Sequence, residues 1–238
     1  MMKTTAIVLA GGRGSRMNSD IPKQYLKIGD YTLLHYTLTA FEQSHVDDIV
    51  VVCGAGDEEY VKRNIVLPGE ITKVSVIVSG GKERYNSVYN GLLACRGTDK
   101  VLVHDGARCL VSPWLIDKII AKLNHVNAVI AAVPVKDTIK CVDASGRVTA
   151  TPKRSELMAV QTPQGFKYDK LLAANEKMFE LIAGGADEAE LAITDDACIM
   201  ERFSDEQVYV IAGSDSNIKV TTPEDLEFVR AKIAEKTK

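Results

Sequence analysis

The chain has 238 residues, 46% of them hydrophobic and 26% charged, with a formal net charge of −3. That length and balance suit one α/β domain with a full core rather than a disordered or membrane-embedded chain, and the slightly acidic total speaks against nucleic acid as a partner, which needs a basic surface. No apolar run approaches the roughly 20 residues of a membrane helix, and five cysteines without a CxxC pair and four histidines without an HxxxH pair argue against a zinc site and a disulfide framework.

The first residues read straight into a buried strand, so a cytoplasmic protein with no membrane association is expected. Short β-branched, apolar runs at 5–9, 48–52, 74–78, 101–104 and 128–133 read as strands. Segments of helical spacing at 33–41, 57–64, 83–95 and 113–123 lie between them. This βαβα alternation predicts a parallel sheet, and strands apolar on both faces suit helices on each side. From 136 to 161 the pattern lapses into polar sequence, with a turn at Ala144-Ser145-Gly146 joining 139–142 to 147–150 as a hairpin. An excursion of that length is uncommon in a compact domain unless it serves a site or an interface, so 136–161 reads as a dimerisation arm inserted in one domain spanning 1–238. The pattern resumes with a helix from Tyr168, a strand at 207–211 and a last helix after Thr221-Thr222-Pro223-Glu224-Asp225, which offers an N-cap threonine, a proline at the first helical position and acids in the first turn. The expected fold is a single-domain, Rossmann-like α/β structure: a mostly parallel sheet, helices on both faces and a protruding β-arm.

The first strand runs into Leu9-Ala10-Gly11-Gly12-Arg13-Gly14-Ser15-Arg16-Met17, with Pro22-Lys23-Gln24 close behind. Three glycines let the backbone turn its N–H groups toward one point, and Arg13, Arg16 and Lys23 bring cations to the same place, which suits a triphosphate. A Walker loop needs Gly-Lys-Ser or Gly-Lys-Thr where this chain has Gly14-Ser15-Arg16. The dinucleotide fingerprint needs a third glycine where Met17 stands, and the second strand ends in Cys53-Gly54 without a ribose-binding acid, which disfavours an NAD enzyme. Five further blocks follow the strands: Gly80-Gly81-Lys82-Glu83-Arg84-Tyr85-Asn86-Ser87; His104-Asp105-Gly106-Ala107-Arg108; Asp137-Thr138, with Arg154 ahead of Gln161-Thr162-Pro163-Gln164; Thr194-Asp195-Asp196-Ala197; and Asn217-Ile218-Lys219-Val220-Thr221. Taken alone, His104 reads as a satisfied structural histidine rather than a base.

In this order, from Ala6 to Glu227, the blocks resemble those of the sugar-phosphate nucleotidyltransferases and, more narrowly, of the 2-C-methyl-D-erythritol 4-phosphate cytidylyltransferase family of non-mevalonate isoprenoid biosynthesis. The resemblance implies transfer of CMP from CTP to 2-C-methyl-D-erythritol 4-phosphate with release of pyrophosphate. It implies catalytic roles for Arg16, Lys23 and Lys219, and CTP contacts from Ala10, Gly11, Gly12 and Gly14, from Gly80, Gly81 and Ser87 around the cytosine, and from Asp105. It places Arg108, Thr138, Arg154, Thr162 and Thr194 at the sugar phosphate, with the arm crossing to a second subunit of a homodimer. The chain departs from the family pattern at Gly106 and Cys109, where HDAARP is usual, at Asp196 in place of glutamate, and at Pro152-Lys153 ahead of Arg154.

The chemistry fits these residue types. A phosphate monoester is largely dianionic at pH 7, with a second pKa of about 6, so a phosphate nucleophile needs no general base. The barrier lies in bringing two anions together and in charge growing on the α-phosphoryl oxygens, which positioned cations offset. Mg²⁺ is the expected cofactor, bound mainly through the CTP phosphates. Two other readings stay open: the same chemistry on ribitol 5-phosphate, disfavoured by Gly106-Ala107, and a catalytically silent nucleotide-binding regulator.

Overall fold

The computed structural model describes residues 2–12 and 21–236. The chain enters as strand β1 (Thr4–Ala10), followed by a short antiparallel pair, β2 (Lys27–Ile28) and β3 (Tyr31–Thr32), turned at Gly29 with φ of +62°. Helix α1 (Leu33–Glu42) starts where the Thr32 hydroxyl accepts the His35 N–H at 3.1 Å. There follow β4 (Asp48–Cys53), the one-turn helix α2 (Glu58–Val61) continued by a π-turn, β5 (Val74–Ser79), α3 (Arg84–Ala94), β6 (Lys100–Asp105), α4 (Pro113–Lys122) and β7 (Ala128–Pro134). A small hairpin, β8 (Cys141–Val142) with β9 (Val148–Ala150), precedes the long strand β10 (Met158–Lys167). The chain closes with α5 (Tyr168–Ala183), α6 (Glu188–Leu191), α7 (Asp196–Phe203), β11 (Val208–Ala212) and α8 (Pro223–Lys236).

The main sheet has seven strands in the order β11-β7-β10-β6-β1-β4-β5, parallel except for β10, which runs antiparallel to both neighbours. Its central strands are apolar on both faces because each face carries its own core. Ala6, Val8, Ile49, Val51 and Leu102 pack with Leu34, Leu38 and Phe41 of α1 and Ile116 of α4. The alternate residues Ile7, Val50, Val52, Val101 and Val103 pack with Val88 and Leu92 of α3 and Leu171 and Met178 of α5. A third cluster, including Leu33, Cys109, Leu110, Val220 and Val229, seats α8 beside the site.

The predicted strands and helices fall within a residue or two of the observed ones, except that the helix expected at 57–64 is split between α2 and the π-turn Lys62–Val66. One central element is absent from the expectation altogether. Strand β10 contains Gln161-Thr162-Pro163-Gln164, a polar run with a proline that resembles a loop. It fits between β6 and β7 because the pairing with β7 shifts register between Val160 and Gln164, leaving the proline in a bulge rather than in the ladder. Residues 158–161, assigned to the arm on sequence, therefore belong to the sheet: Met158, Ala159 and Val160 pair with Pro134, Val133 and Ala132. The hairpin β8–β9 is separate from the main sheet, and residues 136–156 are exposed except for the half-buried Asp143 and Pro152. Among the described residues no helix is long and apolar enough to cross a membrane.

Candidate nucleotide and phosphate site

The chain leaves β1 for β4 and β5 on one side and returns with β6 on the other, so the order reverses at β1 and opens a crevice beyond the carboxyl ends of β1 and β6. There Leu9 stands opposite Asp105. A cavity of about 360 Å³ lies in this crevice: Gly11, Gly12, Lys23, Gly81, Ser87 and Lys219 line it from four segments of the chain, and Asp105 from a fifth. Lys23 and Lys219, far apart in sequence, thus face one space.

Local hydrogen bonds explain how each segment is held. Lys23 begins a 3-10 turn whose next residue, the buried Gln24, donates its side-chain N–H to the Ala10 carbonyl, while the Tyr25 hydroxyl donates to Asp57 at 3.0 Å. The Ala10 carbonyl is therefore engaged within the protein. The Gly80 N–H donates to the Cys53 carbonyl at 2.7 Å, which docks the turn before α3 against the end of β4. Gly81 donates its N–H to Ser87 Oγ at 3.0 Å, and a Cβ there would lie 2.3 Å from that of Asn86, so the turn tolerates no side chain. Glu83 and Asn86 cap α3 reciprocally.

Asp105 is the electrostatic centre. Its carboxylate meets Lys219 Nζ at 2.8 Å, Arg84 Nε at 3.7 Å and Arg108 Nε at 3.8 Å. Burial alone would raise the Asp105 pKa, but Arg84, Lys219 and Arg108 outweigh it and hold the carboxyl well below the usual range. Arg84 also makes a bidentate pair with the buried Asp196 at 2.9 and 2.7 Å. Burial works against the Arg84 charge, yet Asp196 and Asp105 keep the guanidinium firmly protonated.

A second cavity of about 330 Å³ adjoins the first and shares Arg84, Asp105 and Lys219 with it; its other lining includes Arg108, Gln161, Thr162, Gln164 and Thr194. The Thr162 hydroxyl is largely committed inward: it accepts the Asp105 N–H and meets His104 Nδ1, each at 3.0 Å. His104 Nε2 faces the Arg108 carbonyl at 3.3 Å, and burial pushes the histidine down to about 3, so it is a neutral spacer, as its sequence context suggests.

Of the predicted site residues, Gly11, Gly12, Lys23, Gly81, Ser87, Asp105 and Lys219 gather at the first cavity, and Arg108, Thr162 and Thr194 at the second. Ala10 and Gly80 act as backbone anchors just behind. Arg16 and Gly14 lie outside the described residues. Thr138 and Arg154 are not brought to either cavity within one chain: both are exposed, and Arg154 Nη1 donates to the Lys136 carbonyl at 3.0 Å. Sequence reasoning missed Arg84, Asp196, Gln24 and Gln164. The signal for Arg84 was its place in the GGxxRxxS block, and for Asp196 its acid beside the Thr194-Asp195 pair. Among the described residues no group of three or more His, Cys, Asp or Glu could hold a metal ion.

Glycine turns and converging cations at the switch point of a mostly parallel sheet make an α/β protein of the class suited to a polyphosphate nucleotide beside a second anionic ligand. Comparison with known proteins narrows the class. The family model for 2-C-methyl-D-erythritol 4-phosphate cytidylyltransferase matches residues 4–235. Proteins of that name from Lachnoclostridium phytofermentans and Pelotomaculum thermopropionicum are each 43% identical, over 99% and 98% of this chain and 98% and 95% of theirs. The crystal structure of 4-diphosphocytidyl-2C-methyl-D-erythritol synthase from Anaerococcus prevotii superposes with a TM-score of 0.82 at 33% identity, covering 98% of this chain and 96% of that one. The chain belongs to the 2-C-methyl-D-erythritol 4-phosphate cytidylyltransferase family, and it is a nucleotidyltransferase.

Proposed function

We propose that the protein transfers CMP from CTP to 2-C-methyl-D-erythritol 4-phosphate and releases pyrophosphate, the first cavity taking CTP and the second the polyol phosphate. The observation that carries this reading is the shared wall: Lys219, Arg84 and Asp105 border both cavities, so an α-phosphorus and an incoming phosphate oxygen can meet beside Lys219. An oxygen of the dianionic monoester bonds to the α-phosphorus as the bond from that phosphorus to the oxygen bridging to the β-phosphorus breaks, and no proton need move. Lys23 and Lys219 offset the charge that gathers on the phosphoryl oxygens, and Arg108 holds the acceptor phosphate. Arg16 is assigned to the same work from its place in the motif. Before ligands arrive, Asp105 neutralises Lys219 and keeps the cation aimed into the crevice.

Mg²⁺ would fit a site of this kind, because it needs few protein oxygens when a triphosphate supplies the rest, and Asp105, held ionised, lines the first cavity together with the carboxylate of Glu83. When bound it neutralises triphosphate charge. Thr138 and Arg154 are assigned to the acceptor phosphate of a partner chain, with 136–157 as the dimer contact. The five cysteines, all among the described residues, form no disulfide, which fits work in a reducing cytoplasm. Ribitol 5-phosphate is the disfavoured acceptor, since the matching family and the two 43% identical relatives bear the methylerythritol name. Pyrophosphate release should be measured with CTP, ATP, GTP and UTP, each against both polyol phosphates. Turnover confined to CTP with the methylerythritol acceptor is expected. Faster turnover with ribitol 5-phosphate, or tight nucleotide binding without turnover, would refute the reading.

A further inference from the structure

The segment from Gly213 to Val220, which carries Lys219 between β11 and α8, contains no helix or strand of its own. Its position depends on what grips it. At its start, the buried Gln161 of β10 makes both hydrogen bonds that a neighbouring strand would make to one residue: Nε2 donates to the Ser214 carbonyl at 2.8 Å, and Oε1 accepts the Ser214 N–H at 3.2 Å. A Cβ on Gly213 would lie 2.4 Å from Gln161 Oε1, so the amide approaches the segment where no side chain stands between them. Gln161 stands where β10 and β7 lose register, which frees its side chain to pair with another backbone. Further along, the fully buried Asn217 donates to the Thr162 carbonyl at 2.8 Å and to Gln161 Oε1 at 3.4 Å. The Asn217 carbonyl in turn accepts Arg108 Nη1 at 2.9 Å. Two residues later Lys219 meets Asp105, and the Val220 N–H donates to the Ala107 carbonyl at 2.9 Å.

We infer that Gln161 is a positioning residue for the reaction: by clamping Ser214 and Asn217 it sets Lys219 and Arg108 together, one cation for each phosphate. The inference rests on the proposed phosphate roles of Lys219 and Arg108. Without the amide, the Ser214 N–H loses its acceptor, the Ser214 carbonyl keeps only the Asn217 N–H at 2.9 Å, and the Asn217 side chain loses one of its two acceptors. The segment then shifts as a unit, carrying the Lys219 amine and the carbonyl that steers Arg108. Displacements on the scale of 1 Å at positioned groups lower turnover by up to about 10²-fold. Mere loss of core stability would lower Tm without this pattern.

Steady-state kinetics on Gln161→Met, Lys219→Ala and the double variant, with thermal melts, test the inference. Gln161→Met is expected to lower kcat about tenfold and to raise KM for the polyol phosphate several-fold, while KM for CTP, set chiefly by the turn at Gly81 and Ser87, stays within about threefold. In the Lys219→Ala background the same change should cost less than about twofold in kcat, because residues that act through one another are non-additive. Gln161→Glu, isosteric and still able to accept the Ser214 N–H, should give a smaller loss and provides the test if Gln161→Met does not fold. A kcat within twofold of wild type for both Gln161 variants, or losses that multiply independently with Lys219→Ala, would overturn the inference while leaving the role of Lys219 intact. Failure of both variants to fold would overturn it as well, making the clamp a stability element. If Lys219→Ala turned over normally, the underlying reading and the inference would fall together.

Discussion

Lys23 and Lys219 reach one crevice by different means: the first rides on a turn pinned by Gln24 to the end of β1, and the second on a segment pinned to β10. Each faces a space in which charge develops, so Lys23→Ala and Lys219→Ala should each lower kcat by about 10²-fold, the scale of losing one charge-stabilising donor. Steady-state rates within threefold of wild type would remove them from the catalytic set. His104 makes a different prediction. Burial sets its folded pKa at about 3, against 6.5 for the free side chain. Between those values the unfolded chain binds a proton that the folded chain excludes, so stability is complete above about 6.5 and falls as pH drops toward 3. Lowering the pH from 7 to 5 should cost the wild type about 2 kcal/mol through this residue, at about 1.4 kcal/mol per pH unit. Urea unfolding of His104→Gln, which cannot protonate, should lack that share of the acid destabilisation; identical pH slopes would show that the histidine is not held neutral. The motif letters marked the two lysines as candidates and His104 as a structural residue. The inward turn of the Thr162 hydroxyl and the pairing of Arg84 could not be read from them, because both depend on partners that come near only after folding.

At the scale of elements, α3 and α7 are tied by the Arg84–Asp196 pair across the sheet's carboxyl end. Asp196 is fully buried, so Asp196→Ala strands a half-buried guanidinium and should destabilise the fold by about 3 kcal/mol, as removal of one partner from a buried pair does. The same change should weaken CTP turnover, since Arg84 borders both cavities. Equilibrium unfolding beside kinetics would separate the two effects, and a stability loss below about 0.5 kcal/mol would show the pair to be a surface-like bridge. The strands β1, β4, β6 and β7 were legible because their β-branched runs face two apolar cores and carry little competing signal. Strand β10 was not, since Gln161, Thr162 and Gln164 spend their side chains on the segment before α8, on His104 and on Asp195. A strand whose polar groups are satisfied by tertiary partners looks like a loop when read alone.

For the whole molecule, the exposed segment before β10 sets the next test. Val142 and Val148 face each other across the hairpin at 58% and 54% exposure, with Ile139, Met158 and Val160 also open, an apolar surface of the kind that marks an interface. Val148→Asp should shift a dimer toward monomer in sedimentation equilibrium and raise KM for the polyol phosphate, through Arg154 of the same segment. An unchanged association state would place any dimer contact elsewhere.

Residue order along the chain is enough to dictate the class of fold, the alternation of covered strands and helices, the glycine turns beyond strand ends and the identities of the cations, because local periodicity and backbone freedom are properties of neighbouring residues. It also carried the family resemblance that the comparisons establish. Folding in three dimensions is what sets β10 antiparallel through the sheet, brings Arg84, Lys219 and Arg108 onto Asp105, and lets Gln161 grip the segment bearing Lys219. Those outcomes depend on desolvation and hydrogen bonding between residues remote in the chain, and no local pattern encodes which distant partner will satisfy a buried polar group.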